Sequence, residues 1–273
     1  MSNALLHVFR NAPYGRETLL FSAYTCRRLG LQLHIYIPAD PRFLVYFEHQ
    51  AVQIDLDASY LRKPETAQAT IEQLLTLGPK LDYSLVEPTG QTGTGLPDIA
   101  SDVAFMTCPR SMSEPSSRLG LGLLGPKVRN LIAHAHFPVL IPPGAYKPWT
   151  RLAILYGGSE LAGQALKLGL AMAHERNIPL QVISFGSRDE LLEAAMAQGL
   201  DEDLGQTDWL VLDGKPNPAD FDAVPHDALV LLGAYGHGPI RSMFGSTMEM
   251  VQSELPNPLL VVGPNFKPRP VFP

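Results

Sequence analysis

Residues 151–185 read RLAILYGGSELAGQALKLGLAMAHERNIPLQVISF and contain one complete strand–helix–strand unit. The first six residues form a short apolar run that predicts a buried strand, and two glycines end it. Ser159 is a typical N-cap residue, and the apolar spacing behind it predicts a helix to about Arg176. The last seven residues predict a second strand. Because both strands are unbroken apolar runs, we expect parallel strands that are buried on both faces of a sheet.

The alternation of strands and helices continues to the end of the chain. The later elements are predicted as helices at 188–198 and 246–255, and as strands at 208–213, 227–232 and 258–263. Strands that alternate with helices form a parallel sheet with helices on both faces. Right-handed crossovers make this an open, doubly wound α/β sheet, in which ligands bind at the carboxyl ends of the strands.

The chain contains two tandem copies of this pattern. Residues 125–144 align with 245–264 at an offset of 120, with a glycine and a proline at matching positions. Residues 31–37 align with 178–184 at an offset of 147, and the helical stretches before them also match. Since the order of the elements is preserved throughout, duplication explains the similarity better than chance does.

The joint between the copies is the segment 142–148, which is rich in proline and glycine and predicts a linker. We therefore expect two domains, a first repeat at 1–146 and a second repeat at 147–273. The two offsets differ by 27 residues, which places an insertion in the first repeat at about 38–64. This insertion is rich in aromatic residues. We interpret it as a strand or helix that covers an exposed edge of the core, and a lid or partner surface is the alternative.

Composition argues against several classes of protein. A net charge of −6 argues against a general binder of nucleic acid or of anionic membranes, since both need a basic face. With 45% apolar residues the chain is expected to fold, and its two cysteines, Cys26 and Cys108, are too few for a disulfide scaffold. The first residues lack the basic region of a signal peptide, and no apolar run is long enough to span a bilayer. We expect a cytoplasmic protein.

The segment 232–247, LGAYGHGPIRSMFGST, carries the candidate binding site. It starts at the carboxyl end of a predicted buried strand, and its first glycines can adopt positive φ and let the backbone approach a ligand closely. Its end offers free N–H groups, two hydroxyls and a positive helix end, all of which favour a phosphate. A plain strand-to-helix connection capped by Ser246 is the alternative. The candidate binding residues are Gly233, Gly236, Gly245, Ser246 and Thr247.

The same segment, together with MEMVQSELPNPLLVVGP at 248–264, resembles the C-terminal signature of the universal stress protein family. The resemblance covers both repeats, in the manner of the tandem members of that family. It implies, for each repeat, a five-strand parallel sheet in the order 3-2-1-4-5, and an internal pseudo-dimer through the last strands, 137–142 and 258–263. In nucleotide-binding members the motif G-x2-G-x9-G-[ST] holds the ribose and phosphates of ATP or AMP. The resemblance therefore implies an adenine-nucleotide site at the five residues named above.

The second repeat departs from the family pattern at two places. Between Gly236 and Gly245 there are eight residues, whereas the family motif has nine. ATP-binding members also carry an Asp after the first strand, in a D-G-S sequence that contacts the adenine side. Gly157 stands at that position here and has no side chain to accept a hydrogen bond. Recognition of the base would then have to come from backbone groups.

The first repeat departs further. Cys108 and Ser111 replace the first two glycines of the loop, and Pro126 replaces the serine at the start of the helix. Proline offers neither an N–H nor a hydroxyl. The turn after the first strand reads Arg10-Asn11, again without the Asp. We predict that this repeat is a degenerate copy with a mainly structural role.

The sequence indicates no catalytic constellation. The glycine loop lacks the lysine of a phosphate-binding P-loop, and neither a general base nor a magnesium-holding acid can be named. His134 and His136 are two residues apart, and side chains at that spacing point to different faces of a helix, so we predict no metal site. Cys108 is predicted to be a buried, neutral thiol.

Three functions remain open. The first is a nucleotide-responsive regulator or protective protein of the stress response, in which the ligand orders the segment 233–247 and changes a surface offered to an unknown protein partner. The second is a pseudo-dimeric scaffold that binds no nucleotide and acts through protein partners. The third is a slow ATPase, for which no base is available. Each of them is compatible with a homo-oligomer.

Overall fold

The computed structural model describes residues 3–47, 50–57, 61, 63–90, 92–100, 102–110, 124–234 and 246–268. Within these ranges the chain forms a ten-stranded sheet, a separate three-stranded sheet, and helices on both faces of the larger sheet. None of the helices in this part of the chain combines the length and the apolar character that a membrane crossing requires.

The strands and helices predicted for the second repeat are all present, with bounds within one residue of the prediction. The strands are β1 (Ala4–Val8), β2 (Gln32–Tyr36), β3 (Arg42–Phe47), β4 (Gln50–Asp55), β5 (Tyr83–Val86), β6 (Asp98–Ala100), β7 (Phe105–Thr107), β8 (Val139–Ile141), β9 (Arg151–Leu155), β10 (Leu180–Phe185), β11 (Asp208–Leu212), β12 (Ala228–Gly233) and β13 (Leu259–Val262). The helices are α1 (Pro13–Leu29), α2 (Ala67–Leu75), α3 (Pro126–His134), α4 (Glu160–Arg176), α5 (Arg188–Gln198), α6 (Asp201–Gly205) and α7 (Ser246–Glu254). Two 3-10 helices lie at Pro64–Thr66 and Pro218–Ala223.

Each repeat contributes five strands to the large sheet, whose order is β11-β10-β9-β12-β13-β8-β7-β1-β2-β5. Within each repeat the neighbouring strands are parallel. Numbered by chain order within its repeat, each half of the sheet runs 3-2-1-4-5 from its outer edge inward. The halves meet at β13 and β8, which pair antiparallel with Leu260 opposite Leu140. The predicted doubly wound α/β class is confirmed.

Hydrophobic cores lie on both faces of the large sheet. Leu5 of β1 belongs to one core and Leu6 to the other, as the alternation of side chains along a strand requires. Helices α1, α2, α4 and α5 cover the face that contains Leu5, and α3 and α7 cover the face that contains Leu6. Burial on both sides explains why the strands are unbroken apolar runs.

The inserted segment 38–64 contains the antiparallel strands β3 and β4, and β6 pairs with β3 to complete the small sheet. Phe43 and Val52 of this sheet are buried in the core on the side of α3 and α7. Lys127 of α3 contacts Asp55 at the end of β4, with 3.4 Å between Nζ and Oδ2. The segment therefore packs on the core of the first repeat, as predicted for an apolar insertion, although it covers a face and not an edge.

Candidate functional site

The crevice of the second repeat lies where β9 and β12 end side by side. Leu155 of β9 pairs with Leu232 of β12, so the turns that follow both strands leave the sheet at the same edge. This is the place at which doubly wound sheets bind their ligands.

The structure describes the five predicted binding residues to different extents. Gly233 is the last residue of β12. Gly236 and Gly245 lie outside the described residues. Ser246 and Thr247 open α7, but the side chains of the first four residues of this helix lie outside the described part of the structure. The structure thus fixes the two ends of the glycine loop, and the contact with a phosphate stays a prediction.

The backbone conformation of Gly233 differs from the one that the sequence suggested. Its φ is outside the positive range, and its backbone continues the ladder of β12 opposite Val262. A Cβ at this position would lie 2.8 Å from the carbonyl carbon of Leu161 and 2.9 Å from the nitrogen of Ala162. The prediction of a positive φ at Gly233 is therefore wrong. The missing side chain lets the first turn of α4 pack against the end of β12.

The turn between β9 and α4 contains two glycines, and its backbone conformation favours glycine at only one of them. Gly158 has a φ of 75°, in the left-handed region that favours glycine. Gly157 is exposed, its φ lies outside that region, and a Cβ there would meet no atom within 4 Å. Ser159 caps α4 as predicted, with its side chain accepting from the nitrogen of Ala162 at 3.2 Å. The position of Gly157 can therefore accommodate a side chain.

Gln198 of α5 holds this turn in place. Its Nε2 donates to the carbonyl of Gly158 at 2.8 Å and lies 3.5 Å from the hydroxyl of Tyr156. Burial raises the pKa of Tyr156, which keeps that hydroxyl protonated. A Cβ on Gly163 would lie only 1.9 Å from Gln198 Oε1, so the glycine makes room for the amide. The backbone groups of the turn are thus held in position before any ligand arrives.

A second crevice lies in the first repeat, at the carboxyl ends of β1 and β7 and beside the first turn of α1. In the sheet His7 stands opposite Thr107, so this crevice corresponds in position to the one between β9 and β12. The sequence predicted a mainly structural role for this repeat and did not single out these residues as a site. The lining residues are His7, Val8, Arg10, Tyr14, Thr18, Thr107 and Pro109.

His7 is the most deeply buried polar residue of this crevice, at 1% exposure. Its Nδ1 lies 2.9 Å from Ser22 Oγ. The Ser22 hydroxyl donates to the carbonyl oxygen of Thr18 at 3.0 Å and lies 2.9 Å from Thr107 Oγ1. Among the described residues, Nε2 of His7 has no hydrogen-bond partner. Burial lowers the pKa of His7 to about 3, so the ring is neutral at neutral pH.

The first turn of α1 and the guanidinium group of Arg10 bring positive charge to this crevice. The N-cap of α1 is Ala12, which has no polar side chain, and the first turn contains no acidic residue. The guanidinium carbon of Arg10 lies 5.0 Å from the centre of the Tyr14 ring. Burial raises the pKa of Tyr14, and the charges of Arg10 and Arg110 oppose that rise. A positive helix end and guanidinium charge therefore meet at one place.

Asn11 fixes the turn that follows the insertion. Its Nδ2 donates to the carbonyl of Lys63 at 2.9 Å and to Oγ1 of Thr66 at 2.8 Å. Lys63 has a φ of 54°, which is uncommon for a residue other than glycine. The amide of Asn11 thus anchors residues 63–66 beside the end of β1.

Arg110 joins the first repeat to the last turn of α7. Its two terminal nitrogens donate to the carbonyls of Gln252 at 3.0 Å and of Leu255 at 3.2 Å. The side chain of Gln252 accepts from the backbone nitrogen of Leu124. Because α7 starts at Ser246, the helix connects the predicted phosphate site at one end with the first repeat at the other.

The remaining reactive groups are protected. Cys26 and Cys108 are buried, and burial raises the pKa of both thiols, which confirms that Cys108 is a buried, neutral thiol. Within the described part of the chain, no three His, Cys, Asp or Glu side chains form a group that could hold a metal ion.

Comparison with known proteins addresses the fold. No protein-family model and no curated protein sequence matches the chain. A universal stress protein from Archaeoglobus fulgidus DSM 4304 is 16% identical, with a TM-score of 0.63, and the match covers 96% of this chain and 99% of that one. A candidate universal stress protein from Pseudomonas aeruginosa UCBPP-PA14 is 16% identical, with a TM-score of 0.54 and coverage of 97% and 94%. A functionally unknown protein from Pseudomonas aeruginosa PAO1 gives the same identity and TM-score, with coverage of 97% and 93%.

At this level of identity the matches are evidence for the fold. They extend over nearly the whole of both chains. The structural similarity therefore includes the first repeat as well as the second. Over nearly its full length, the chain therefore has the fold of the universal stress proteins.

Proposed function

We propose that this chain is a universal-stress-type protein whose second repeat binds an adenine nucleotide, ATP or AMP, and that it acts as a nucleotide-responsive regulator or protective protein of the stress response. The observation that carries this proposal is the meeting of β9 and β12 at one edge of the sheet, with Ser246 at the start of α7 directly after the glycine loop. Strand ends beside a helix N-terminus are the usual setting for nucleotide phosphates in doubly wound folds.

The proposed contacts divide between the two ends of the crevice. The phosphates lie at the loop and at the first turn of α7, held by backbone N–H groups and by the hydroxyls of Ser246 and Thr247. The base lies toward the turn at Gly157 and Gly158, where only backbone groups are available to it. Gln198 holds that turn in place, but the lack of a side chain at Gly157 weakens the selection of adenine over other bases.

Helix α7 transmits the effect of the bound nucleotide to the rest of the protein. The bound nucleotide selects one conformation of the segment 233–247, and the contacts of Arg110 with the last turn of α7 carry the change toward the first repeat and a protein partner. We place the protein in the cytoplasm, where two unpaired cysteines stay reduced. The two repeats act as an internal pseudo-dimer joined through β8 and β13.

One observation favours a second function. The close approach of Leu161 and Ala162 explains Gly233 by packing alone, so this glycine does not require a ligand. A scaffold that binds no nucleotide and acts through protein partners fits this feature. A slow ATPase has less support, because no general base has been identified near the crevice.

The test starts with protein purified without added nucleotide, which is denatured so that any released small molecule can be identified by mass spectrometry. Calorimetric titration of the stripped protein with ATP follows, for the natural chain and for Gly236→Val and Ser246→Ala. Ser253→Ala is the matched control, because Ser253 lies on the same helix at its opposite end. We expect binding that Ser246→Ala weakens about tenfold and Ser253→Ala leaves unchanged.

A gain-of-function variant completes the test. Gly157→Asp restores the D-G-S sequence of ATP-binding members at a position where a Cβ meets no atom within 4 Å. We expect tighter binding of ATP, and a preference for ATP over GTP that the natural chain shows less strongly. No released nucleotide, and no heat with millimolar ATP for either chain, would refute the proposal in favour of the scaffold.

A further inference from the structure

The end of helix α5 fixes the position of Gln198 beside the turn that follows β9. Gly199, directly after the helix, has a φ of 65°, in the left-handed region that commonly ends helices. Its N–H donates to the carbonyl of Met196 at 3.1 Å, and the N–H of Leu200 donates to the carbonyl of Ala195 at 2.9 Å. The side chain of Leu200 is fully buried. Because the backbone bonds and the buried leucine hold the end of the helix, the side chain of Gln198 starts from a fixed point.

The amide of Gln198 connects three segments of the second repeat. Its NH2 group can make two hydrogen bonds, and Nε2 donates to the carbonyl of Gly158 at 2.8 Å and to that of Ala194 at 3.1 Å. Its Oε1 lies over Gly163 in the first turn of α4, where an added Cβ would come within 1.9 Å of it. The amide is therefore held by two acceptors on one side and by the surface of α4 on the other.

The turn that this amide holds forms one wall of the crevice. Since β9 and β12 end side by side, a ligand whose phosphates lie at the loop after β12 reaches the turn after β9 with its other end. The carbonyl of Gly158 is directed toward α5 by its bond to Gln198, whereas Gly157 is exposed. The peptide groups of Gly157 are thus the ones that can contact a base.

Peptide groups distinguish bases only when their direction is fixed. Adenine presents an amino donor where guanine presents a carbonyl acceptor, so a peptide group that can rotate satisfies either base. A turn that is held before the ligand arrives favours the base that matches its donors and acceptors. Here Gln198, which lies about forty residues further along the chain, fixes the turn.

We propose that Gln198 is a positioning residue that sets the base selectivity of the nucleotide site, and that Gly163 provides the space in which its amide acts. The pair fixes the peptide groups of Gly157 that contact the base, and it leaves the phosphate contacts at the start of α7 unaffected. This inference rests on the nucleotide-binding function proposed above, but it uses no residue of the glycine loop.

Calorimetric titrations with ATP, GTP and inorganic tripolyphosphate separate the two ends of the site, because tripolyphosphate has no base. Gln198→Met keeps the length of the side chain and its lack of charge but removes the donor to Gly158. Gly163→Ala leaves Gln198 in place and displaces its amide. Gly205→Ala is the matched control, since Gly205 is also a helical glycine and a Cβ there would meet no atom within 4 Å. Far-UV circular dichroism and a thermal melt establish that each variant is folded.

We expect Gln198→Met and Gly163→Ala to weaken ATP binding about tenfold and to leave tripolyphosphate binding within about twofold. The preference for ATP over GTP should be lost in both variants, and Gly205→Ala should behave as the natural chain does. If tripolyphosphate binds too weakly to measure, the ratio of ATP to GTP affinity decides. In a Gln198→Ala background, Gly163→Ala should have no further effect on that ratio, because the amide that it displaces is absent.

The outcomes separate this inference from the nucleotide function. No binding of ATP to the natural chain would refute the nucleotide function and this inference with it. ATP binding that Ser246→Ala weakens and Gln198→Met leaves unchanged would overturn this inference alone. Equal losses of ATP and tripolyphosphate binding in Gln198→Met would also overturn it, because they would indicate a general loss of structure.

A measurement on the natural chain decides if the variants do not fold. The side-chain Nε2 resonances of Gln198 are followed by 15N NMR during titrations with ATP and with tripolyphosphate. A shift with ATP that exceeds the shift with tripolyphosphate supports the positioning role. Resonances that stay unchanged, or that shift equally with both ligands, refute it.

Discussion

After β9 the chain turns through Gly157 and Gly158 into a helix capped by its own serine, whereas after β1 it turns through Arg10 and Asn11 into a helix whose N-cap is alanine. The strands and helices on either side of these turns nevertheless have coinciding bounds at the offset of 147. The fold therefore tolerates opposite chemistry at this place. The turn residues are free to define a site, while the apolar strands and helix faces define the architecture.

The packing at the ends of the strands varies less between the repeats than the residue types of the turns do. In both repeats a glycine lets the start of a helix approach the backbone at a strand end, although the glycine lies in different elements. Gly233 at the end of β12 makes room for Leu161 and Ala162 of α4, and Gly15 in α1 makes room for the carbonyl of Arg10. The two contacts differ, because Gly233 relieves packing between β12 and α4, whereas Gly15 relieves packing between α1 and the turn directly before it.

The largest effect on stability is expected from a substitution that fills the space beside Gly15 in the first repeat. A Cβ on Gly15 would lie 1.8 Å from the carbonyl oxygen of Arg10, so Gly15→Ala must displace the start of α1. We expect it to lower the free energy of unfolding by about 3 kcal/mol, measured by urea denaturation. Gly157→Ala is the control, since a Cβ there meets nothing, and it should change the free energy by less than about 0.5 kcal/mol. Equal effects of the two substitutions would contradict the steric comparison.

A smaller loss of stability is expected when the pH is lowered, because His7 of the first repeat is buried in its neutral form. The pKa of His7 is about 3 in the folded chain and 6.5 ordinarily, so between these values the unfolded state binds a proton that the folded state does not. The contribution of His7 is therefore fully present above pH 6.5 and is lost as the pH falls toward 3, by up to about 1.4 kcal/mol per unit. Urea denaturation at pH 7.5 and 5.0 should show a loss about 2 kcal/mol larger in the natural chain than in His7→Asn. Parallel losses in the two chains would show that His7 titrates normally.

Much of the second repeat could be predicted from the sequence because its signals are local. The predicted helix 188–198 is α5, and the helix predicted after Ser159 is α4, which ends at Arg176 as expected. Apolar runs, an N-cap and glycine turns are all encoded within a few residues. The three-stranded sheet of the first repeat was not predicted, because the pairing of β3 with β6 joins segments that lie about fifty residues apart.

The crevice of the first repeat could not be predicted for the same reason. His7 alone is a polar residue in an apolar strand, and its partners Ser22 and Thr107 are 15 and 100 residues away. Only the parallel pairing of β1 with β7 brings these groups together. The local signal that was available is the pair Arg10 and Tyr14 around the strand-to-helix turn, at the position where the second repeat has glycine. The positive φ expected of Gly233 failed because a glycine in a sequence does not reveal whether it serves a turn or a close contact.

The smallest effects are expected from substitutions at the N-caps of α4 and α1. One substitution removes a side-chain cap, and the other introduces one. Ser159→Ala removes the cap of α4 and should lower the free energy of unfolding by about 1 kcal/mol. Ala12→Ser introduces a cap in α1, where the backbone is already extended at φ −142° and ψ 161° as a cap requires, and should raise it by up to about 1 kcal/mol. An Ala12→Ser variant with unchanged stability would show that the start of α1 needs no side-chain cap, and a Ser159→Ala variant as stable as the natural chain would show the same for α4.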